Sequence, residues 1–412
     1  MNKFLKDKSI QNIYKRPSNN EESNISIKSL ICKSIGIILF SIFISKHRFN
    51  NKIVNESENN LHQAVPSTAI SISSAKQLIS LPSSIGKKQL KIGVVGLNHC
   101  LSIGNNILKY AISHILKEMG FIPYLIGTRT LDFNPKFLSS YSNVIVIKSN
   151  FSEIKKDDYD ILMVNSDQTW RKFDNHMFDY GFLRFAENWT MPKFIYGASL
   201  GYDYWDFTVE EEEIAKRLLK QFKGISIREQ DSLDLVKEHL GIIPEVVLDP
   251  TFLINKNNYL DIAKNSNKKI DNNEKYIFLY KLWFPFPRIE IFGRKASNEL
   301  NYKIYELDVY KDTVEDFLYY LINSQAVITN SFHGAVFSIL FNKPFLILYK
   351  NGQAEKRLQS LGKLFQVKNR VISNSEIPDI NLLKTPLNIN YTLIEDLKTK
   401  SLNFLKKNLD IA

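Results

Sequence analysis

The residues best placed to do chemistry lie where a short apolar segment passes into a helical pattern. A buried strand is predicted at residues 326–328, and Ser331, His333 and Gly334 follow it at the start of a helix. In an open α/β sheet, ligands bind outside the carboxyl ends of the strands. The free N–H groups of the following helix favour an anion at this point. We therefore predict that this loop binds an anionic ligand.

An arginine stands in the same position after an earlier strand. The apolar residues 225–227 lead into Arg228 and Glu229, and a helix is predicted to begin near Asp231 or Ser232. A guanidinium at the carboxyl end of a strand can bind a carboxylate or a phosphate through two hydrogen bonds. The alternative is that Arg228 forms an ion pair with Glu229 or with a nearby aspartate.

Further polar residues follow other predicted strands. Each has a ligand-binding and an ordinary structural interpretation, such as a tight turn, an Asx turn or a solvated group of charges. A sugar ring could stack on Trp170, or this tryptophan could simply pack in the core. The candidate ligand-binding residues are Asn105, Asn106, Asp167, Gln168, Ser199 and Arg357.

The elements that would position these residues form two α/β series. Most predicted strands are apolar throughout, as expected for parallel strands that are covered on both faces. An amphipathic helix runs from Ile103 to Met119 and ends at Gly120. We predict one lobe over residues 89–262 and a second over residues 270–412, which includes a C-terminal helix, with a cleft between the lobes.

Composition excludes several classes of protein. The chain has 412 residues, of which 44% are hydrophobic, and it has two cysteines, so neither a disulfide framework nor a zinc site is expected. The net charge is +11, but the sequence has no arginine-rich stripe or nucleic-acid motif. We therefore expect no nucleic acid partner, no metal and a reducing, cytoplasmic location.

Residues 1–88 form a basic extension that is rich in Lys, Asn and Ser. Within it, residues 34–45 are apolar and have basic residues on both sides. This segment is short for a spanning helix. Residues 29–48 could attach to the inner surface of a membrane, pack on the body of the protein, or form part of a secretion signal that lies unusually late.

Several short motifs, in this order, resemble those of the polysaccharide pyruvyl transferase family. None is specific alone, but together they extend over most of the two predicted lobes. The motifs are SIGNNILKYA (102–111), NSDQ (165–168), GAS (197–199), SIREQDS (226–232), LDPT (248–251), NSFHG (330–334) and NKP (342–344).

The resemblance implies two Rossmann-like lobes facing a central cleft, similar to GT-B glycosyltransferases. It also implies transfer of a pyruvyl group from phosphoenolpyruvate to a glycan or to its lipid-linked or nucleotide-linked precursor. The product would be a pyruvate ketal, formed with release of phosphate and without a cofactor.

The resemblance further implies that Arg228 and His333 are catalytic, because they match the donor-binding arginine and the histidine of the family. His333 could supply a proton or contact the phosphate. Two other functions stay open: a glycosyltransferase that uses a nucleotide sugar, and a glycan-binding protein without catalytic activity.

Overall fold

The computed structural model describes residues 89–96, 102–127, 135–141, 144–147, 150–172, 176–271, 273–282, 286–309, 311–350 and 355–410. The predicted extension over residues 1–88, with the apolar segment at 29–48, lies outside these ranges. Within these ranges no helix combines the length and the apolar character needed to cross a membrane.

The first lobe is built on a parallel sheet of seven strands in the order β3-β2-β1-β4-β5-β6-β7. The order reverses between β1 and β4, and this is where ligands bind in doubly wound folds. The elements are β1 Lys91–Val95, α1 Ile103–Glu118, β2 Ile122–Gly127, α2 Pro135–Tyr141, β3 Val144–Ile147, β4 Ile161–Val164, α3 Met177–Gly181, β5 Lys193–Ala198, α4 Val209–Leu219, β6 Gly224–Ile227, α5 Leu233–Leu240, β7 Glu245–Val246 and α6 Lys256–Ala263.

The second lobe has a parallel sheet of five strands in the order β12-β11-β10-β8-β9. Its order reverses between β8 and β10, so the loop after β10 lies at the second switch point. The elements are β8 Tyr276–Tyr280, α7 Pro287–Leu300, β9 Lys303–Glu306, α8 Val314–Asn323, β10 Ala326–Thr329, α9 Phe332–Leu340, β11 Phe345–Leu348, α10 Glu355–Leu364, β12 Val371–Ile372 and α11 Tyr391–Asn408.

The central strands are buried along their whole length, as their uninterrupted apolar sequences predict. Every residue of β4, β8, β10 and β11 is buried. The edge strand β9 was missed in the sequence, because two of its four residues, Lys303 and Glu306, are charged and exposed. The predicted α/β fold with two Rossmann-like lobes is confirmed.

The C-terminal helix α11, which the sequence prediction includes in the second lobe, packs against the first lobe. The backbone N–H of Leu248 donates to Ser401 Oγ over 2.9 Å. The ring centroids of Tyr196 and Phe404 are 6.0 Å apart. Although α11 follows the second lobe in the sequence, both of these contacts are with residues of the first lobe.

Helix α1 belongs to the first lobe and packs against α8 and α9 of the second. Its residues share one apolar core with residues of both sheets. Within this core, the rings of Tyr259 on α6 and Phe337 on α9 meet edge to face at 4.8 Å. The core holds the loops at the carboxyl ends of both sheets close together.

Candidate active site

Arg228 follows β6 and pairs with two buried aspartates. Its Nη1 donates to Asp249 Oδ2 over 2.6 Å, and its Nη2 donates to Asp167 Oδ1 over 3.3 Å. Burial lowers the pKa of Arg228, but the neighbouring carboxylates, Asp249 and Asp167 above all, outweigh burial and raise it. The guanidinium is therefore charged, and the ion pair considered as the alternative is present.

Arg357 reaches the same aspartate from the first turn of α10 in the second lobe. Its Nη1 lies 3.5 Å from Asp167 Oδ1. Burial lowers the pKa of Arg357 to about 10, with a further contribution from Arg228, so it stays protonated at neutral pH. Two arginines from different lobes thus share one carboxylate.

The ring of Phe332 lies beneath both guanidinium groups. Its centroid is 4.5 Å from Cζ of Arg228 and 5.5 Å from Cζ of Arg357. A cation over an aromatic face is attracted by the negative face of the ring, more strongly where water is excluded. Phe332 therefore helps to keep two like charges close together.

His333 lies in the first turn of α9 and is only 5% exposed. Its Nε2 is 3.7 Å from Asp249 Oδ2 and has no hydrogen-bond partner among the described residues. The imidazole packs on Gly104 in the first turn of α1. A Cβ atom at position 104 would lie 2.1 Å from Nδ1 of His333, so only glycine fits beneath this ring.

Asp249 is held as a carboxylate by three partners. Its Oδ1 accepts hydrogen bonds from the backbone N–H and the hydroxyl of Thr251, over 3.0 and 2.6 Å. Burial opposes ionisation, but His333, Arg228 and Thr251 together hold the pKa of Asp249 well below its usual range. Asp249 thus places a fixed negative charge between Arg228 and His333.

Asp167 has an unusual backbone conformation, with φ at +98°. Such positive values are costly for residues other than glycine and often occur at functional sites. The backbone carbonyl of Asp167 accepts a hydrogen bond from the N–H of Ser199 over 2.9 Å. Although burial opposes its ionisation, Arg228, Arg357 and His333 lower the pKa of Asp167.

Glu229 is the third carboxyl group of this cluster and is 3% exposed. Burial raises the pKa of Glu229, against the attraction of Arg228 and Arg357. Together with both arginines, Asp249 and Phe332, it lines a small pocket between the lobes.

The remaining candidates surround this cluster or shape its loops. Ser331 caps α9 by accepting a hydrogen bond from the N–H of Gly334 over 3.3 Å. Gly334 fits closely over Thr329, where a Cβ atom would lie 2.6 Å from the hydroxyl oxygen. Asn105 and Asn106 are buried in the first turn of α1, next to the glycine that contacts His333.

Two candidates after β4 and β5 have partners within the first lobe. Gln168 Oε1 accepts a hydrogen bond from Nη1 of Arg171 over 2.8 Å, and Ser199 Oγ accepts one from the N–H of Gly201 over 3.2 Å. Trp170 is completely buried and stacks on Phe182, so it is not available for a sugar ring.

Sequence reasoning did not select Asp249, Glu229, Gly104 or Phe332 as site residues. All four lie in the segments that carry the family resemblance, and Glu229 directly follows Arg228. The signal was therefore present in the sequence. Selecting these residues from their segments required knowing which loops of the two lobes meet across the cleft.

Comparisons with known proteins support a family assignment. The family model described as polysaccharide pyruvyl transferase matches residues 103–351. No curated protein matches the chain.

Among solved structures, the fold is similar to UDP-GlcNAc 2-epimerase from Neisseria meningitidis bound to UDP-GlcNAc, with 12% identity and a TM-score of 0.50, over 77% of this chain and 99% of that one. The UDP-N-acetylglucosamine 2-epimerase from Rickettsia bellii gives 13% identity and a TM-score of 0.46, over 78% and 98% of the two chains. The first likeness supports the fold alone. Because the family model matches more than half of the residues, the chain belongs to the polysaccharide pyruvyl transferase family.

Proposed function

We propose that the protein transfers a pyruvyl group from phosphoenolpyruvate to hydroxyl groups of a glycan or of its lipid-linked or nucleotide-linked precursor. The observation that carries this proposal is the pair of buried arginines, Arg228 and Arg357, which meet at Asp167 beside His333. Phosphoenolpyruvate has a carboxylate and a phosphate, and a guanidinium can bind either group through two hydrogen bonds.

The pairing of Arg228 with aspartates is compatible with donor binding. A guanidinium has five N–H donors, and the two aspartates use two of those on Arg228. The aspartates hold both arginines in fixed positions before the substrate arrives. Such preorganised charge is more effective in a water-excluded site than in bulk water.

The reaction needs proton transfers but no change of oxidation state. The oxygen of one acceptor hydroxyl bonds to C2 of phosphoenolpyruvate while C3 takes up a proton and becomes a methyl group. A second hydroxyl then bonds to C2, and the bond between C2 and the phosphate oxygen breaks. The products are a pyruvate ketal and inorganic phosphate, so we infer that no cofactor takes part.

An exposed aromatic pair after β5 is suited to the acceptor sugar. The rings of Tyr202 and Tyr204 stack with centroids 4.8 Å apart, and Tyr204 is 52% exposed. Arg171 lies over the ring of Tyr202 and also binds Gln168, the neighbour of Asp167. The pair therefore lies close to the arginine cluster, and its flat face can pack against a sugar ring.

Replacing Tyr204 with alanine should raise the KM for the acceptor about tenfold, which corresponds to about 1.4 kcal/mol of lost contact. The KM for phosphoenolpyruvate should stay unchanged. The matched control is Tyr391→Ala, which removes a similarly exposed tyrosine from α11, a helix that contributes none of the site residues. Equal acceptor KM values for the two variants would contradict the assignment.

The proposal is tested by supplying phosphoenolpyruvate with a panel of lipid-linked and nucleotide-linked sugars and measuring acceptor-dependent release of phosphate. Release of a nucleoside diphosphate would instead indicate a glycosyltransferase. Acceptor binding without release of either product would indicate a glycan-binding protein.

A cytoplasmic location and attachment of residues 29–48 to a membrane surface stay predictions.

A further inference from the structure

Glu229 is a buried carboxyl group that forms no hydrogen bond of standard geometry with the described residues, although the Ser199 hydroxyl lies near it. Neither Oε1 nor Oε2 has a hydrogen-bond partner in the described part of the chain. The cation paired with it is Arg228, whose Nε lies 3.5 Å from Oε1 and likewise has no hydrogen-bond partner. A buried polar group without a partner costs free energy, so its presence here calls for an explanation.

The charges of the cluster balance without Glu229 when the imidazole of His333 is neutral, the form in which it can accept a proton. Two positive charges, on Arg228 and Arg357, face two negative charges, on Asp167 and Asp249. A third carboxylate would add an unbalanced negative charge in a site that excludes water, which is unfavourable. The neutral, protonated form of Glu229 therefore fits the cluster better than the charged form.

The surroundings of Glu229 also favour its protonated form. Burial raises its pKa, and Asp167 adds to this effect, while Arg228, the Ser199 hydroxyl and Arg357 oppose it without cancelling it. Asp167 and Asp249 lie in the same cluster and have lowered pKa values. Carboxyl groups whose environments separate their pKa values commonly divide the acid and base roles of a reaction.

We propose that Glu229 is the catalytic acid that delivers a proton to the methylene carbon of the donor. This role rests on the proposed function, because a donor bound by Arg228 and Arg357 would lie next to Glu229, which lines the same small pocket as both arginines. The O–H bond of Glu229 breaks, and the electron pair of the C2=C3 bond forms the new C3–H bond. The resulting carboxylate is stabilised by the neighbouring guanidinium of Arg228.

His333 then completes the proton balance. Its Nε2, which has no hydrogen-bond partner in the described ranges, accepts the proton of the attacking hydroxyl. The carboxylate of Asp249 stabilises the imidazolium that forms. In the second step, the Glu229 carboxylate takes the proton of the second hydroxyl. The imidazolium gives its proton to the departing phosphate oxygen, so both residues return to their initial states.

The test uses Glu229→Gln in the full-length protein, which keeps the size of the side chain and removes its acidic proton. We expect kcat to fall about 10²- to 10⁴-fold, with the KM for phosphoenolpyruvate changed less than about threefold. Wild-type kcat should decline as the pH rises, because Glu229 loses its proton, and this decline should be absent from any residual activity of the variant. Asp231→Asn is the matched control, since it removes a surface carboxylate that pairs with Lys363.

Thermal unfolding supplies a readout that does not depend on activity. A buried carboxyl group with a raised pKa contributes its full stability at low pH, and this contribution is lost as the pH rises through the folded-state pKa. The wild type should therefore lose more stability than Glu229→Gln as the pH rises from 4.5, the ordinary pKa of a glutamate, through the folded-state pKa. An active wild type together with a Glu229→Gln variant of equal rate and pH profile would overturn the role of Glu229. A wild type that releases no phosphate from phosphoenolpyruvate would overturn the proposed function instead.

Discussion

Arg228→Ala should reduce kcat/KM for phosphoenolpyruvate by about 10²- to 10³-fold, the loss typical when a preorganised charged donor is removed from an active site. It should also lower the free energy of unfolding by about 3–5 kcal/mol, because two buried aspartates each lose the cation that forms their shortest ion pair. Pre-steady-state or steady-state phosphate release and chemical denaturation measure the two effects separately.

The variant Arg228→Lys separates the effect of the positive charge from that of the guanidinium geometry. Lysine keeps the positive charge near Asp249 and Asp167 but cannot form the planar fork of a guanidinium. We expect most of the stability to return while the activity stays at least about tenfold below wild type. Full activity in Arg228→Lys would show that the fork does not bind the donor.

His333→Asn should reduce kcat by about 10²- to 10⁴-fold, the range that removal of a proton-transferring side chain produces. The asparagine is smaller than the imidazole and places no charge beside Asp249, so we expect the protein to remain folded. Far-ultraviolet circular dichroism and the unfolding midpoint serve as the fold controls. An asparagine variant with wild-type kcat would exclude His333 from proton transfer.

Gly104→Ala should lower kcat as His333→Asn does, but less strongly, and it leaves the His333 side chain itself unchanged. The added methyl group would overlap Nδ1 of His333, so the ring must leave its present position beside Asp249. The control is Gly293→Ala in α7, where the nearest atom would be a leucine methyl at 3.3 Å and the helix gains propensity. Equal activity in both glycine variants would contradict the close packing described for His333.

Local sequence patterns predicted the parts of the fold that depend on local physics. The strands β4, β8, β10 and β11 are buried on both faces of a sheet. Strands of this kind are apolar throughout, so an uninterrupted apolar segment predicts them directly. The same apolar pattern placed His333 directly after β10. A site role for it was predicted because ligands bind at the carboxyl ends of parallel strands.

Features that depend on docking between the lobes could not be predicted in this way. The sequence around Asp249 shows a strand end and a proline, but its pairing with Arg228 and its approach to His333 arise only when loops from both lobes meet. The packing of α11 on the first lobe has the same origin. Trp170 was ambiguous because its burial is decided by Phe182, a partner twelve positions further along the chain.

The most direct test of the central claim is the fate of phosphoenolpyruvate in the presence of the full-length protein and a panel of lipid-linked and nucleotide-linked sugars. We predict release of inorganic phosphate that depends on one acceptor, together with an acceptor product that carries a pyruvate ketal. Both signals should be lost in Arg228→Ala and His333→Asn. Release of a nucleoside diphosphate from a nucleotide sugar, with phosphoenolpyruvate left intact, would contradict the account.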